Sequence, residues 1–143
     1  MKLRNRGDYA VWGPGVGHTW RALEVTVEGD PDRLRQIVTN LLTNAAKFVS
    51  SGGTVTVAVR SDDHWAELTV AETGPGIARD ELPHVFERFF RSRTAGAGGS
   101  GIGLAVVAEL AKAHGGDISV DSELGRGSTF RVRLPTMAPP GSP

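Results

Sequence analysis

Residues 30–48 read DPDRLRQIVTNLLTNAAKF, and this stretch decides the fold class. Asp30 followed by Pro31 predicts a helix start. Aspartate is a preferred N-cap, and proline suits the first helical position, where its missing N–H costs nothing. Leu34, Ile37, Val38, Leu41, Leu42 and Ala45 then recur at helical spacing, as the apolar stripe of an amphipathic helix does. The helix is expected to end at Lys47 or Phe48. Beside that stripe, not opposite it, runs a polar row: Gln36, Asn40, Asn44 and Lys47. At roughly 100° per residue such a row lies at the edge of the core, where a cleft opens. Asparagine is a poor helix former, so two on one face cost stability. Taken alone, the row reads most simply as a solvated face. Its functional reading is a set of amide oxygens for Mg2+, a hard cation that prefers oxygen, with Lys47 adding positive charge for a phosphate.

Outward from this helix, the chain alternates strands and turns. Leu23, Val25 and Val27 alternate with Glu24, Thr26 and Glu28, a half-buried strand that Gly29 ends. Residues 1–21 are punctuated by glycine, and their aromatics Tyr9, Trp12 and Trp20 follow no period; they read as an N-terminal arm, loose or forming an edge strand. Downstream, Val55, Val57 and Val59 pair with a return strand of Ala66, Leu68 and Val70. Residues 79–90 are expected to form a short helix rich in aromatics at its end. Residues 92–100 lack core-forming side chains and are expected to form a mobile loop. A second helix starts near 101–104, buries Leu104, Val107, Ala108 and Ala111, and stops at Gly115-Gly116, with His114 as a cation in its last turn. Ile118 and Val120, then Phe130, Val132 and Leu134, mark two final strands. Strands arranged in hairpins predict an α+β, two-layer sandwich: a mixed, mostly antiparallel sheet covered on one face by helices. The expected division is an arm over 1–21, one domain over 22–135 and a disordered tail over 136–143.

Composition bounds the function. A length of 143 residues suits one core. Lys+Arg and Asp+Glu are both 16, which argues against a nucleic-acid surface, whose footprint is a basic excess. No apolar run approaches a membrane span, and the basic start is followed by no apolar segment of the kind a signal peptide carries. With no cysteine, disulfides and thiolate metal sites are excluded, and a cytoplasmic location is the default expectation.

Two glycine-rich segments complete the pattern. Glu72-Thr73-Gly74-Pro75-Gly76-Ile77 follows a strand, and glycine permits backbone to approach a ligand closely. Gly99-Ser100-Gly101-Ile102-Gly103-Leu104 opens a helix, whose free N–H groups and positive dipole end suit phosphate. No Gly-Lys-Ser/Thr follows, and no strand precedes, so neither a P-loop nor a dinucleotide fingerprint fits. Alone, the first segment is weak evidence, a turn that ends a strand, and the second reads equally as a linker.

In order and at this spacing, the segments resemble the catalytic ATP-binding domain of sensor histidine kinases, of the Bergerat fold. Asn40-Leu41-Leu42-Thr43-Asn44-Ala45-Ala46-Lys47-Phe48 resembles the N box. Residues 72–77 resemble the G1 box, Phe86-Glu87-Arg88-Phe89-Phe90-Arg91 the F box, and residues 99–104 the G2 box. Gly127-Ser128-Thr129-Phe130 resembles the last short motif of the family. The resemblance implies that Asn44, assisted by Asn40, holds Mg2+ against the phosphates of ATP, and that Lys47 and Arg91 contact phosphate. It implies that Phe48 packs on adenine, that Gly74, Gly76 and Ile77 shape the adenine pocket, and that Phe86 anchors the base of a flexible ATP lid at 92–100. Gly99, Gly101, Ile102, Gly103 and Leu104 wrap the phosphates in that reading, and Thr129 adds a contact.

This sequence departs from the family twice. The G1 box of the family begins with an aspartate that accepts a hydrogen bond from the adenine amino group; here the position is Glu72, one methylene longer. The family also carries its acceptor histidine on a helical dimerisation hairpin. None of His18, His64, His84 and His114 has that context. The resemblance therefore implies a partner: a histidine-bearing dimerisation or phosphotransfer domain, on the same chain or another, with a response regulator downstream and this domain monomeric by itself. An anti-sigma-factor-type serine kinase and a pseudokinase that binds a partner are the rival readings.

Overall fold

The computed structural model describes residues 2–4, 9–12, 24–49, 51–90 and 103–136. Asp30 caps α1 (Pro31–Phe48): its side chain accepts from the Asp32 N–H at 2.9 Å, and its carbonyl from the Leu34 N–H at 3.0 Å. Leu34, Ile37, Leu41 and Ala45 are the buried face of α1. Burying a leucine or isoleucine side chain is worth about 1.5–3 kcal/mol, so this stripe, more than helix propensity, holds α1 in place.

The stripe packs on a five-stranded sheet in the order β2 (Tyr9–Trp12), β4 (Val55–Ser61), β5 (Trp65–Glu72), β7 (Gly127–Pro135), β6 (Asp117–Glu123). Every ladder is antiparallel, so the sheet is not mixed. A second pair, β1 (Lys2–Arg4) with β3 (Glu24–Thr26), is antiparallel too, and Val27 bridges to Thr136. Strands β1 and β2 thus lie inside the stretch read as an arm. Along β5 the burial alternates strictly: Ala66, Leu68, Val70 and Glu72 face inward. Val132 and Phe130 of β7 face the same way. On the outer face, Arg131 bonds both Glu67 and Asp121 at 3.2 Å, across three strands. Strand β6 is an edge, and Asp117, Asp121 and Glu123 are exposed along it.

Helix α2 (Gly103–Ala113) lies beside α1 and buries Ala105, Val107 and Ala111. Gly115, with φ of +80°, closes it: the Gly116 N–H reaches the Ala111 carbonyl at 2.8 Å and the Gly115 N–H that of Lys112 at 3.0 Å. His114 bonds the Leu110 carbonyl through Nδ1 at 2.8 Å, and its Nε2 accepts from the Asp30 N–H at 3.4 Å. His114 thus ties the end of α2 to the start of α1.

Residues 79–90 do not form the expected helix. Only Leu82–His84 makes a single 3-10 turn. Pro83 removes a backbone donor there, and Phe89 stands at φ of 67°, which no right-handed helix accepts. The expected loop at 92–100 and the tail beyond Thr136 lie outside the described residues.

Candidate functional site

The polar row of α1 and the start of α2 converge. Asn40, half-buried, donates from Nδ2 to the Gly103 carbonyl at 3.2 Å. That bond leaves the Asn40 amide oxygen uncommitted to Gly103 and sets the row against the opening turn of α2. Asn44 lies one turn further along α1, half-buried, and Lys47 is exposed, with Nζ 5.6 Å from the Phe48 ring centre. Gly103 is exposed, with open space where a Cβ would project, and Leu104 packs on the core. Arg91, Gly99, Gly101 and Ile102 lie outside the described residues.

The first glycine segment is clamped between the end of α1 and the β6–β7 turn. Its strand ladder continues past β5, where Thr73 N–H bonds the Thr54 carbonyl at 3.1 Å and Thr54 N–H bonds the Thr73 hydroxyl at 2.7 Å. Gly74 is buried with the Phe48 carbonyl and Glu72 Oε2 directly over the place a Cβ would take. Gly76, at φ of +76°, sits against the Glu123 carbonyl. The Ile77 N–H donates to the Ser122 hydroxyl at 2.7 Å, and the Gly125 N–H to the Pro75 carbonyl at 2.9 Å. Ile77 itself packs on the core.

Glu72 is 5% exposed, and its Oε2 is buried with no hydrogen-bond partner. It is the one charged side chain of β4–β7 on the helix-facing side. Burial pushes its carboxyl above the ordinary glutamate range; the Ser128 hydroxyl, then the Gly74 and Ser128 N–H groups, favour the ionised form and offset part of that rise. A buried acceptor without a donor costs about 1–3 kcal/mol, so an inward carboxylate left over at a ladder end points to an external donor. At Gly74 glycine is the one residue type that fits, because a Cβ would strike the Phe48 carbonyl and that same Glu72 oxygen.

Two hydroxyls missed by the sequence reading stand here. Ser128 is opposite Glu72 in the β5–β7 ladder and is buried; Ser122 bonds it at 2.8 Å. Thr129, the residue chosen from that motif, shares the outer face of β7 with Arg131, away from Glu72. Strand parity relative to the buried Phe130 separates the two, a signal already present in Gly127-Ser128-Thr129-Phe130.

Phe86 is half-buried and meets Phe130 edge-on, centres 6.3 Å apart. Arg88 grips Glu109 of α2 through two nitrogens, at 3.2 and 2.8 Å, so the aromatic segment is fastened to the same helix whose start faces Asn40. Phe89 is 69% exposed.

The chain is similar to known proteins in sequence and in fold. Residues 29–138 match the family described as histidine kinase-, DNA gyrase B-, and HSP90-like ATPase. Sensor histidine kinase RppB of Synechocystis sp. is 39% identical over 120 residues, 82% of this chain and 26% of its own length. The chain thus spans about a quarter of that curated relative. Among solved structures, mycobacterial sensor histidine kinase MprB superposes with a TM-score of 0.75 at 39% identity, over 81% of this chain and 80% of its own. ShkA, described as full-length in complex with AMPPNP, gives 0.69 at 37% identity, over 80% of this chain and 24% of its own.

Proposed function

This chain belongs to the histidine kinase-, DNA gyrase B- and HSP90-like ATPase family as an ATP-binding domain of the sensor histidine kinase type, and from that premise we propose that it binds Mg2+-ATP and passes the γ-phosphate to a histidine on a separate dimerisation domain. The observation that carries the proposal is the Asn40–Gly103 bond, which brings amide side chains of one helix against the main chain opening another. Phosphoryl transfer asks the protein for positioning and charge neutralisation more than for covalent chemistry. When bound, the metal ion would neutralise phosphate charge, and the neutral oxygens of Asn44 and Asn40 fit a hard cation that draws its anionic ligands from the nucleotide. Lys47 and Arg91 add charge toward the phosphates, the N-terminus of α2 presents its free N–H groups, and Glu72 accepts from the base. The γ-phosphate stays exposed toward the partner, whose imidazole nitrogen attacks in line. A response regulator then takes the phosphate from that histidine.

The test is nucleotide titration with and without Mg2+, on the native chain and on Asn44→Ala, followed by mixing with ATP and a candidate acceptor domain. Binding that strengthens with Mg2+ and is lost in Asn44→Ala, with acid-labile label on the acceptor, supports the reading. Acid-stable label would move the domain to the serine kinases, and absence of nucleotide binding would leave a partner-binding module without catalysis.

A further inference from the structure

Strand β6 ends the five-stranded sheet, and among the described residues only β7 pairs with it. Alternate residues of such a strand aim their N–H and C=O groups away from the sheet, where another extended chain can bond them. The two faces of β6 differ. Ile118 and Val120 face the helices, half-buried, and pack on the core, as does Leu110 of α2, the helix in contact with β6. Asp117, Ser119, Asp121 and Glu123 stand exposed on the opposite face.

The carboxylates of this row are under-matched within the chain. Arg133, across the ladder from Asp117, stacks on the Trp65 ring at 4.5 Å, and Asp117 makes no ion pair among the described residues. Arg131 is divided between Glu67 and Asp121, both at 3.2 Å. Glu123 meets Arg126 at 3.7 Å with both side chains largely exposed, a kind of pair worth little in water. The row therefore presents net negative charge along a strand whose outer main-chain groups have no partner strand.

We propose that β6 takes a sixth strand from a partner protein: an extended segment that alternates basic with apolar or hydroxyl side chains and runs antiparallel to β6. Centred on Val120, this guest sets Lys or Arg across from Glu123, Asp121 and Asp117, and Ser or Thr across from Ser119. Val or Ile lies across from Val120 and Ile118 and extends the apolar face. Main-chain bonds supply the affinity, and the alternation supplies the selectivity. A shift by one residue turns the basic side chains toward the core, and an acidic guest meets charge of its own sign, so both are refused. The proposal does not depend on the nucleotide reading.

The experiment titrates the isotope-labelled whole chain with the end-capped peptide Lys-Thr-Lys-Val-Thr-Val-Lys, which matches the seven residues of β6 in that register, and follows the amide NMR spectrum. Saturable shifts centred on Asp117–Glu123, with slower amide exchange there, are the expected result. Asp117→Asn and Glu123→Gln, both at exposed positions, should each weaken binding by about 1.4- to 5-fold, and added salt should weaken it further. The same residues reordered to put lysine on both faces should not bind. Of two peptides N-methylated at alternate residues in the two possible frames, the one blocked toward β6 should fail and the other should bind. Equal binding of both, or binding of the reordered peptide, reduces the edge to an ionic patch and overturns the proposal. So does the absence of β6 shifts up to millimolar peptide. Shifts in β6 that grow with protein concentration before any peptide is added make a second copy the occupant, and they overturn it too.

Discussion

Glu72→Gln should make the nucleotide-free domain more stable while impairing its recognition of adenine. In the native protein Oε2 is buried without a donor, beside Gly74 and the Phe48 carbonyl. The amide of glutamine places an N–H2 there, a donor facing a carbonyl, and removes a charge from the interior. Relief of an unsatisfied buried acceptor is worth about 1–3 kcal/mol. For a chain of this length that corresponds to about 4 °C per kcal/mol, so a rise in Tm of roughly 4–12 °C at neutral pH is expected. The gain should depend on pH in a definite direction. Burial raises the carboxyl pKa in the folded state above the ordinary value of 4.5, so the folded state holds the proton more tightly than the unfolded chain. The stability that this proton contributes is complete below the ordinary value and is lost as pH rises through the folded one. The native chain should therefore weaken relative to Glu72→Gln from acid toward neutral pH, and the two should converge near pH 4.5. Thermal melts of both proteins, without nucleotide and at a series of pH values, decide the matter. A variant no more stable than the native chain at neutral pH, or a gap that does not change with pH, refutes the reasoning.

Gly127→Ala should destabilise the fold by about 1–3 kcal/mol or abolish it, because the residue lies at φ of 106° and a Cβ would strike the Glu72 carbonyl, which the strand ladder prevents from yielding. Chemical denaturation measures the loss. Leu41→Ala, at a site 1% exposed under α1, should cost about 2–5 kcal/mol by the same method. Arg88→Ala should change stability by less than about 1 kcal/mol, since both partners are 59% exposed, but should loosen the aromatic segment from α2, seen as faster amide hydrogen exchange at residues 86–90.

Local rules located the ends of α1 and most of its buried face. Asp30, Pro31 and the apolar stripe specify its start and its length without reference to the rest of the chain; of the stripe, Leu34, Ile37, Leu41 and Ala45 are buried, whereas Leu42 at its margin is exposed. The β4–β5 hairpin and the glycine end of α2 were legible for the same reason: the partners are close in sequence. Of residues 1–21 only an edge strand was legible, which β2 is; where β1 and β2 lie was not, because each is only three or four residues long and pairs with a strand far along the chain, β3 and β4. Residues 79–90 misled because their apolar and aromatic content suggested a helix, whereas Pro83 and the left-handed Phe89 forbid one. At the candidate site, motif spacing brought attention to the right segments, yet the choice of Thr129 over Ser128 turned on which side of β7 each hydroxyl occupies. The tie between His114 and the Asp30 N–H was not legible, because the two lie 84 residues apart.

The acids along β6 bear on how the domain keeps company. An edge strand offers unpaired main-chain groups to any similar strand, including that of an identical molecule. Were two copies to join antiparallel about Val120, Asp117 of one would lie across from Glu123 of the other, twice over. Like charges set across a ladder repel. That rim is thus unwelcoming to its own copy while remaining open to a basic segment.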